Sequence, residues 1–146
     1  MVNETQASDL DAQMIIRFDG VYGFGFYDEG LERNRDPREP WERTKLWHYL
    51  RFYPDGQVLH VSTTGFPHEI KPWFNLEKYG VLAHRSIGRF QIIGKEIIGE
   101  WWHYVEGSPK HRFSFRGRFE GELLIVVIHS DHNNKTYTEN FIFNLD

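Results

Sequence analysis

Apolar and polar residues alternate with a period of two along most of the chain, the mark of strands with one buried face. The alternation is cleanest near the C-terminus. Phe113, Phe115, Leu124, Val126 and Ile128 fall on one face of a hairpin, with Arg112, Ser114, Arg116 and Arg118 on the other. The stretch 135–145 repeats the pattern, setting Tyr137, Phe141, Phe143 and Leu145 against Thr136, Thr138 and Asn140. Further strands are predicted at 18–27, 45–53, 57–63, 87–93, 96–104 and 122–129. Pro54-Asp55-Gly56 fits a bulged hairpin loop, and Gly94-Lys95 suits a type II′ turn with glycine first. These turns place His48 opposite Ser62, His60 opposite Leu50, and Arg89 opposite Glu100. Reading Glu120-Gly121 as the next loop places Phe119 opposite Glu122 and Phe115 opposite Val126. Segment 67–78 departs from the pattern. Ile70, Trp73 and Phe74 are spaced for one short helix facing inward, limited by Pro72.

About eight strands joined mostly by tight hairpins predict an all-β fold, an antiparallel up-and-down barrel with one short helical segment. Closure removes exposed strand edges. The barrel is expected to occupy 14–146 as a single domain, after a polar, acidic and flexible tail at 1–13. The charged stretch 28–43 reads as a solvated connection, because neither sign dominates it.

Composition narrows the chemistry. The 146 residues contain no cysteine, which excludes disulfides, zinc–thiolate sites and a cysteine nucleophile. The net charge of −4 offers no general attraction to nucleic acid. Arg112, Arg116 and Arg118 do form a basic stripe, but the interleaved phenylalanines point the other way, so charge and stacking cannot cooperate there. No apolar run approaches the roughly 18 residues of a membrane span. The N-terminus lacks the basic and apolar regions of a signal peptide, so the expected compartment is cytoplasmic. The serines lack a Gly-x-Ser-x-Gly elbow, and Gly20, Gly23 and Gly25 have the wrong spacing for a dinucleotide loop. No catalytic residue and no cofactor is assigned on this basis.

Two blocks carry a resemblance. Phe18-Asp19-Gly20-Val21-Tyr22 opens the first strand, and Tyr49-Leu50-Arg51-Phe52-Tyr53-Pro54-Asp55-Gly56 with Val58-Leu59 and Thr63-Thr64 makes the second hairpin. Together with Gly88-Arg89-Phe90, over about residues 18–104, they resemble the C-terminal β-domain of the F-box only protein nine group. Gly20-Val21-Tyr22 also resembles the Gly-x-Trp opening of lipocalin-like barrels, with tyrosine in the tryptophan place. The resemblance implies a lipocalin-like, calycin-type barrel, with the aromatic closing one end beneath an arginine, for which Arg51, Arg89 and Arg118 are candidates. It does not carry over an adaptor function, since these residues leave no room for an F-box. Barrels of this kind host transport, catalysis and protein recognition alike.

Candidate binding chemistry follows from the hairpin at 45–63. Trp47, Tyr49, Arg51 and Tyr53 share one face, where an arginine among aromatic rings suits a carboxylate at the base of an apolar pocket. The plainer alternative stacks Arg51 on aromatics or pairs it with an internal acid such as Glu139. His48 and His60 share the other face and would need His103 or Glu139 as a third ligand to hold a metal; no such site is assigned. Phe90, Ile92, Ile97 and Trp101 are expected inside, leaving Arg89 and Glu100 as a surface pair. Glu100 and Glu139 are possible acid–base partners if a cavity brings them together.

The sequence thus favours binding of a small, largely apolar ligand, one carrying an acid group included, with Trp47, Tyr49, Arg51, Trp101, His103 and Glu139 lining the site. The alternatives are a protein-interaction module with a filled barrel, and an enzyme using a cavity acid or histidine.

Overall fold

The computed structural model describes residues 16–27 and 45–146. The predicted tail at 1–13 and the charged connection at 28–43 lie outside the described residues. Eight strands form a closed antiparallel barrel in sequence order: β1 (Gly20–Tyr27), β2 (Lys45–Phe52), β3 (Gln57–Thr63), β4 (Arg85–Ile93), β5 (Glu96–Val105), β6 (Ser108–Glu120), β7 (Leu123–Ser130) and β8 (Lys135–Leu145). Each strand pairs with its neighbour in the chain, and β1 closes on β8 with Tyr22 opposite Phe143. Between β3 and β4 lie a one-turn helix α1 (Pro67–Ile70) and a 3-10 turn at Tyr79–Val81. Among the described residues no helix is long and apolar enough to cross a membrane.

The turns set the registers. Gly56 takes φ of +92° and closes the β2–β3 loop through hydrogen bonds between Tyr53 and both Gly56 and Gln57, so His48 meets Ser62 and His60 meets Leu50 as predicted. The β4–β5 pairing of Arg89 with Glu100 is also as predicted. The β6–β7 hairpin differs. Its loop is Gly121-Glu122, with Gly121 at φ of +62° in the first position, and Phe119 faces Leu124 while Phe115 faces Ile128. The displacement is two residues, so side chains stay on their predicted faces. β6 starts four residues earlier than predicted, at Ser108, after a turn in which Glu106 and Gly107 both have positive φ.

Two apolar clusters result. Inside the barrel, Tyr22, Leu50, Phe52, Val58, Ile97, Trp101, Phe115, Leu124, Val126, Ile128, Phe141 and Phe143 are buried together. Outside it, Val21, Tyr49, Leu59, Ile70, Phe74 and Tyr79 form a second cluster, in which segment 67–82 covers the outer face of β2 and β3. Ile70 and Phe74 are fully buried there, as their spacing predicted, but Trp73 is only half-buried and the helix stops at Ile70, before Pro72.

One barrel end is plugged by rings. Tyr22 lies 5.6 Å from both Phe52 and Phe119 and 5.3 Å from Phe143, in tilted or edge-on contacts. Burial of each such side chain contributes about 1.5–3 kcal/mol. The arginine at this end is Arg17: its backbone N–H donates to the Tyr22 hydroxyl at 3.0 Å, and its guanidinium stacks 4.4 Å from the Phe143 ring centre. None of the three arginines proposed for that place occupies it.

Candidate functional site

The opposite end of the interior is polar. On β2, β3, β5 and β8 the residues that continue the inward-facing rows of core positions are His48, His60, His103, Tyr137 and Glu139. They point the same way as Leu50, Val58, Trp101 and Phe141, but one or two steps nearer the end of the barrel. Phe24 and Phe26 of β1 and Phe113 of β6 complete the wall.

His48 and Glu139 form the centre of this end. Both carboxylate oxygens of Glu139 lie close to His48 Nδ1, at 2.7 and 3.0 Å. A carboxylate only accepts, so Nδ1 carries a proton, and in the neutral form of the ring the lone pair lies on Nε2. Glu139 is 6 % exposed and His48 17 %. The His48 ring stands edge-on to Phe26 at 5.3 Å and to His60 at 5.6 Å. His60 in turn stacks on Trp101 at 4.5 Å with 12° between the planes, and Trp101 stacks on Phe113 at 5.5 Å.

Trp101 is 1 % exposed, yet its Nε1–H is buried without an acceptor among the described residues. Among the described residues, Trp47 Nε1 and Arg85 Nε are also unpaired, but Trp101 alone of these belongs to the inner cluster. Leaving such a donor unpaired costs about 1–3 kcal/mol. His103 Nδ1 lies 3.0 Å from Ser86 Oγ, and His103 faces His111 across the β5–β6 pair. The His111 ring is 4.0 Å from that of His132. The Tyr137 hydroxyl is pushed up to about 12, first by burial and then by the Glu139 carboxylate.

Trp101, His103 and Glu139 are therefore placed along the inner wall. Trp47, Tyr49 and Arg51 are on the outer face, under segment 67–82. There Trp47 stacks on Tyr49 at 5.6 Å, and the Tyr49 hydroxyl donates to the Gly65 carbonyl at 2.7 Å. Arg51 Nε donates to the Phe74 carbonyl at 2.7 Å, and its two terminal nitrogens reach the Asp146 carboxylate at 2.7 and 3.0 Å. The acid partner of Arg51 is Asp146 rather than Glu139. Glu100 is outside as well and bonds Arg112 at 2.6 Å, not Arg89, so Glu100 and Glu139 lie on opposite sides of the wall. Among the described residues no three His, Asp or Glu side chains are disposed to hold a metal ion, and the His48 and His60 pair meets one carboxylate and one indole instead. Tyr137 was missed as a site residue, although it shares the inward parity of Glu139 and Phe141.

Burial pushes the His60 imidazole well below its ordinary value of 6.5, with His48 and His103 adding to the effect. His103 is lowered too, by burial first and then by His111 and His84. The unfolded chain therefore takes up protons that the fold resists, so these groups make stability fall as pH drops below about 6.5 and leave it intact above. The urea midpoint is expected to be lower at pH 5 than at pH 7.5, and His60→Gln should narrow that difference. Equal midpoints at the two pH values would contradict the placement of His60.

No family model matches the chain, and no solved structure matches it.

Proposed function

We propose that the protein binds a small, largely apolar molecule at the histidine-lined end of a lipocalin-like barrel. The observation that carries this reading is the Trp101 indole N–H, buried in the inner wall with no acceptor among the described residues. A ligand carbonyl or ether oxygen would satisfy it, while Phe24, Phe26, Phe113 and the His60 ring supply flat apolar surface. An acid group on the ligand was expected from Arg51. With that guanidinium held by Asp146 on the outer face, the polar part of the ligand is better matched by a neutral acceptor. The absence of cysteine suits a reducing cytoplasm.

Native mass spectrometry of gently purified protein, compared with the denatured mass, tests this. A reproducible small-molecule excess released on denaturation is expected. Trp101→Phe should weaken its retention about tenfold, the value of one buried hydrogen bond. A bare monomer in repeated preparations contradicts the reading. A bare multimer instead favours a protein-interaction role. The surface that would serve it is the outer face of β4 to β7, where Arg89, Glu100, Arg112, Arg116 and Val127 line an open groove of about 620 Å³.

A further inference from the structure

We propose that His48 is the proton acceptor of an acid–base site in the barrel, with Glu139 as its positioning residue and a small apolar carbonyl compound as the substrate class. The inference rests on the binding reading above and adds chemistry to it.

Four features converge on His48. Its Nδ1 is held by both oxygens of Glu139, which fixes the tautomer and leaves Nε2 as the basic atom. Glu139 forms no other hydrogen bond among the described residues, so its carboxylate is committed to this ring and compensates the imidazolium that forms when Nε2 takes a proton. Nε2 has no hydrogen-bond partner among the described residues, and 17 % of the His48 side chain is exposed. Around it stand rings: Phe26 at 5.3 Å, His60 at 5.6 Å and Phe24 at 6.4 Å. Among the described residues, the charged and titratable groups in contact with His48 are therefore Glu139 on β8 and His60 on β3. His60 resists protonation because burial disfavours its charged form, so it does not repel the imidazolium.

The step balances without a co-reactant. His48 Nε2 removes a proton from the carbon beside the ligand carbonyl, and the C–H electron pair moves into the carbon–carbon bond as the carbonyl becomes an enolate. Where the carbonyl compound is β,γ-unsaturated the enolate is a dienolate, so Nε2 returns the proton to its γ-carbon and the double bond moves into conjugation with the carbonyl. The net result is an isomerisation, with the imidazole regenerated.

The probe for this site is 5-nitrobenzisoxazole. A base removes its ring C–H proton, the N–O bond breaks, and a coloured cyanophenolate is released with the proton left on the base. The full chain is expected to open this ring about tenfold or more faster than His48→Gln. The rate should rise with pH and level off once the imidazole is deprotonated, a profile that a structural role would not produce. Glu139→Gln should fall between the two, because the amide oxygen still accepts from Nδ1–H while the charge is gone. If His48→Gln does not fold, the double replacement His48→Leu with Glu139→Leu removes both partners without stranding a charge, and it must lose the same rate. Equal rates for the wild type and these variants overturn the proposal. Equilibrium dialysis of the probe separates the two readings. Binding without ring opening overturns the acid–base site and leaves the pocket standing, whereas neither binding nor ring opening overturns both.

Discussion

Gly88→Ala is expected to cost the barrel at least about 3 kcal/mol, beyond the usual range for one added methyl group. Gly88 sits in the middle of β4, opposite Val58 on one side and Trp101 on the other. A Cβ there would overlap the Glu100 carbonyl oxygen and lie 2.5 Å from Trp101 Cα and 2.7 Å from the Glu100 carbonyl carbon. These are backbone atoms held by the β4–β5 ladder, so no rotamer change relieves the clash and the strands themselves must part. The displacement would reach Trp101, and through it the stack with His60 at 4.5 Å. Gly94→Ala is the control. Nothing lies within 4 Å of its Cβ position, and only the positive φ of +64° is strained, so about 1 kcal/mol is expected. Urea unfolding of both variants measures the contrast. A Gly88→Ala midpoint close to that of Gly94→Ala would mean that the two strands are further apart than described.

Most of this architecture was legible in the sequence because the turns are chemically explicit. Pro54-Asp55-Gly56 and Gly94-Lys95 each admit one well-matched loop geometry, and the registers of β2–β3 and β4–β5 follow from them residue by residue. Around Gly121 two readings of the loop compete. The wrong one slipped the pairing by two yet left every face correct, since strand parity survives an even shift. What could not be read was which side of β2–β3 faces inward. Both sides of that hairpin are apolar because both are covered, one by the barrel interior and the other by segment 67–82. A strand buried on both faces carries no polar side to orient it.

The same ambiguity divided the candidate site. Choosing the face with Arg51 as the ligand wall combined three residues of the outer face, Trp47, Tyr49 and Arg51, with three of the inner face, Trp101, His103 and Glu139. The meeting of His48 with Glu139 was beyond pairwise reasoning for a different reason. They lie on β2 and β8, which are joined only through β1 when the barrel closes. Closure brings Phe24 of β1 within 6.1 Å of Phe141 and within 6.4 Å of His48, and the carboxylate two residues before Phe141 then reaches the imidazole. The local signal was present in the inward parity of both residues, but only the closed barrel shows that they are partners.

Arg51 is expected to act as a clasp on the outside of the barrel, and removing its acid should cost as much as removing the arginine or more. Arg51 is 7 % exposed at its side chain, whereas Asp146 is 42 % exposed. Asp146→Ala strands a buried guanidinium that keeps the Phe74 carbonyl at 2.7 Å and the Gly20 carbonyl at 3.4 Å but loses its counter-charge. A loss of about 3 kcal/mol is expected from such an uncompensated buried cation. Arg51→Met strands a carboxylate that water can reach, together with the Phe74 carbonyl, and should cost about 2 kcal/mol. The double variant should cost less than the sum of the two, because each single change already breaks the same pair. The consequence for binding separates the clasp from the pocket. Because the guanidinium lies on the outer face, Arg51→Met should lower the urea midpoint while leaving any small-molecule mass retained by the folded protein unchanged. Loss of that mass with the midpoint intact would place Arg51 at the ligand after all, and would require the inner and outer faces of β2 to be exchanged.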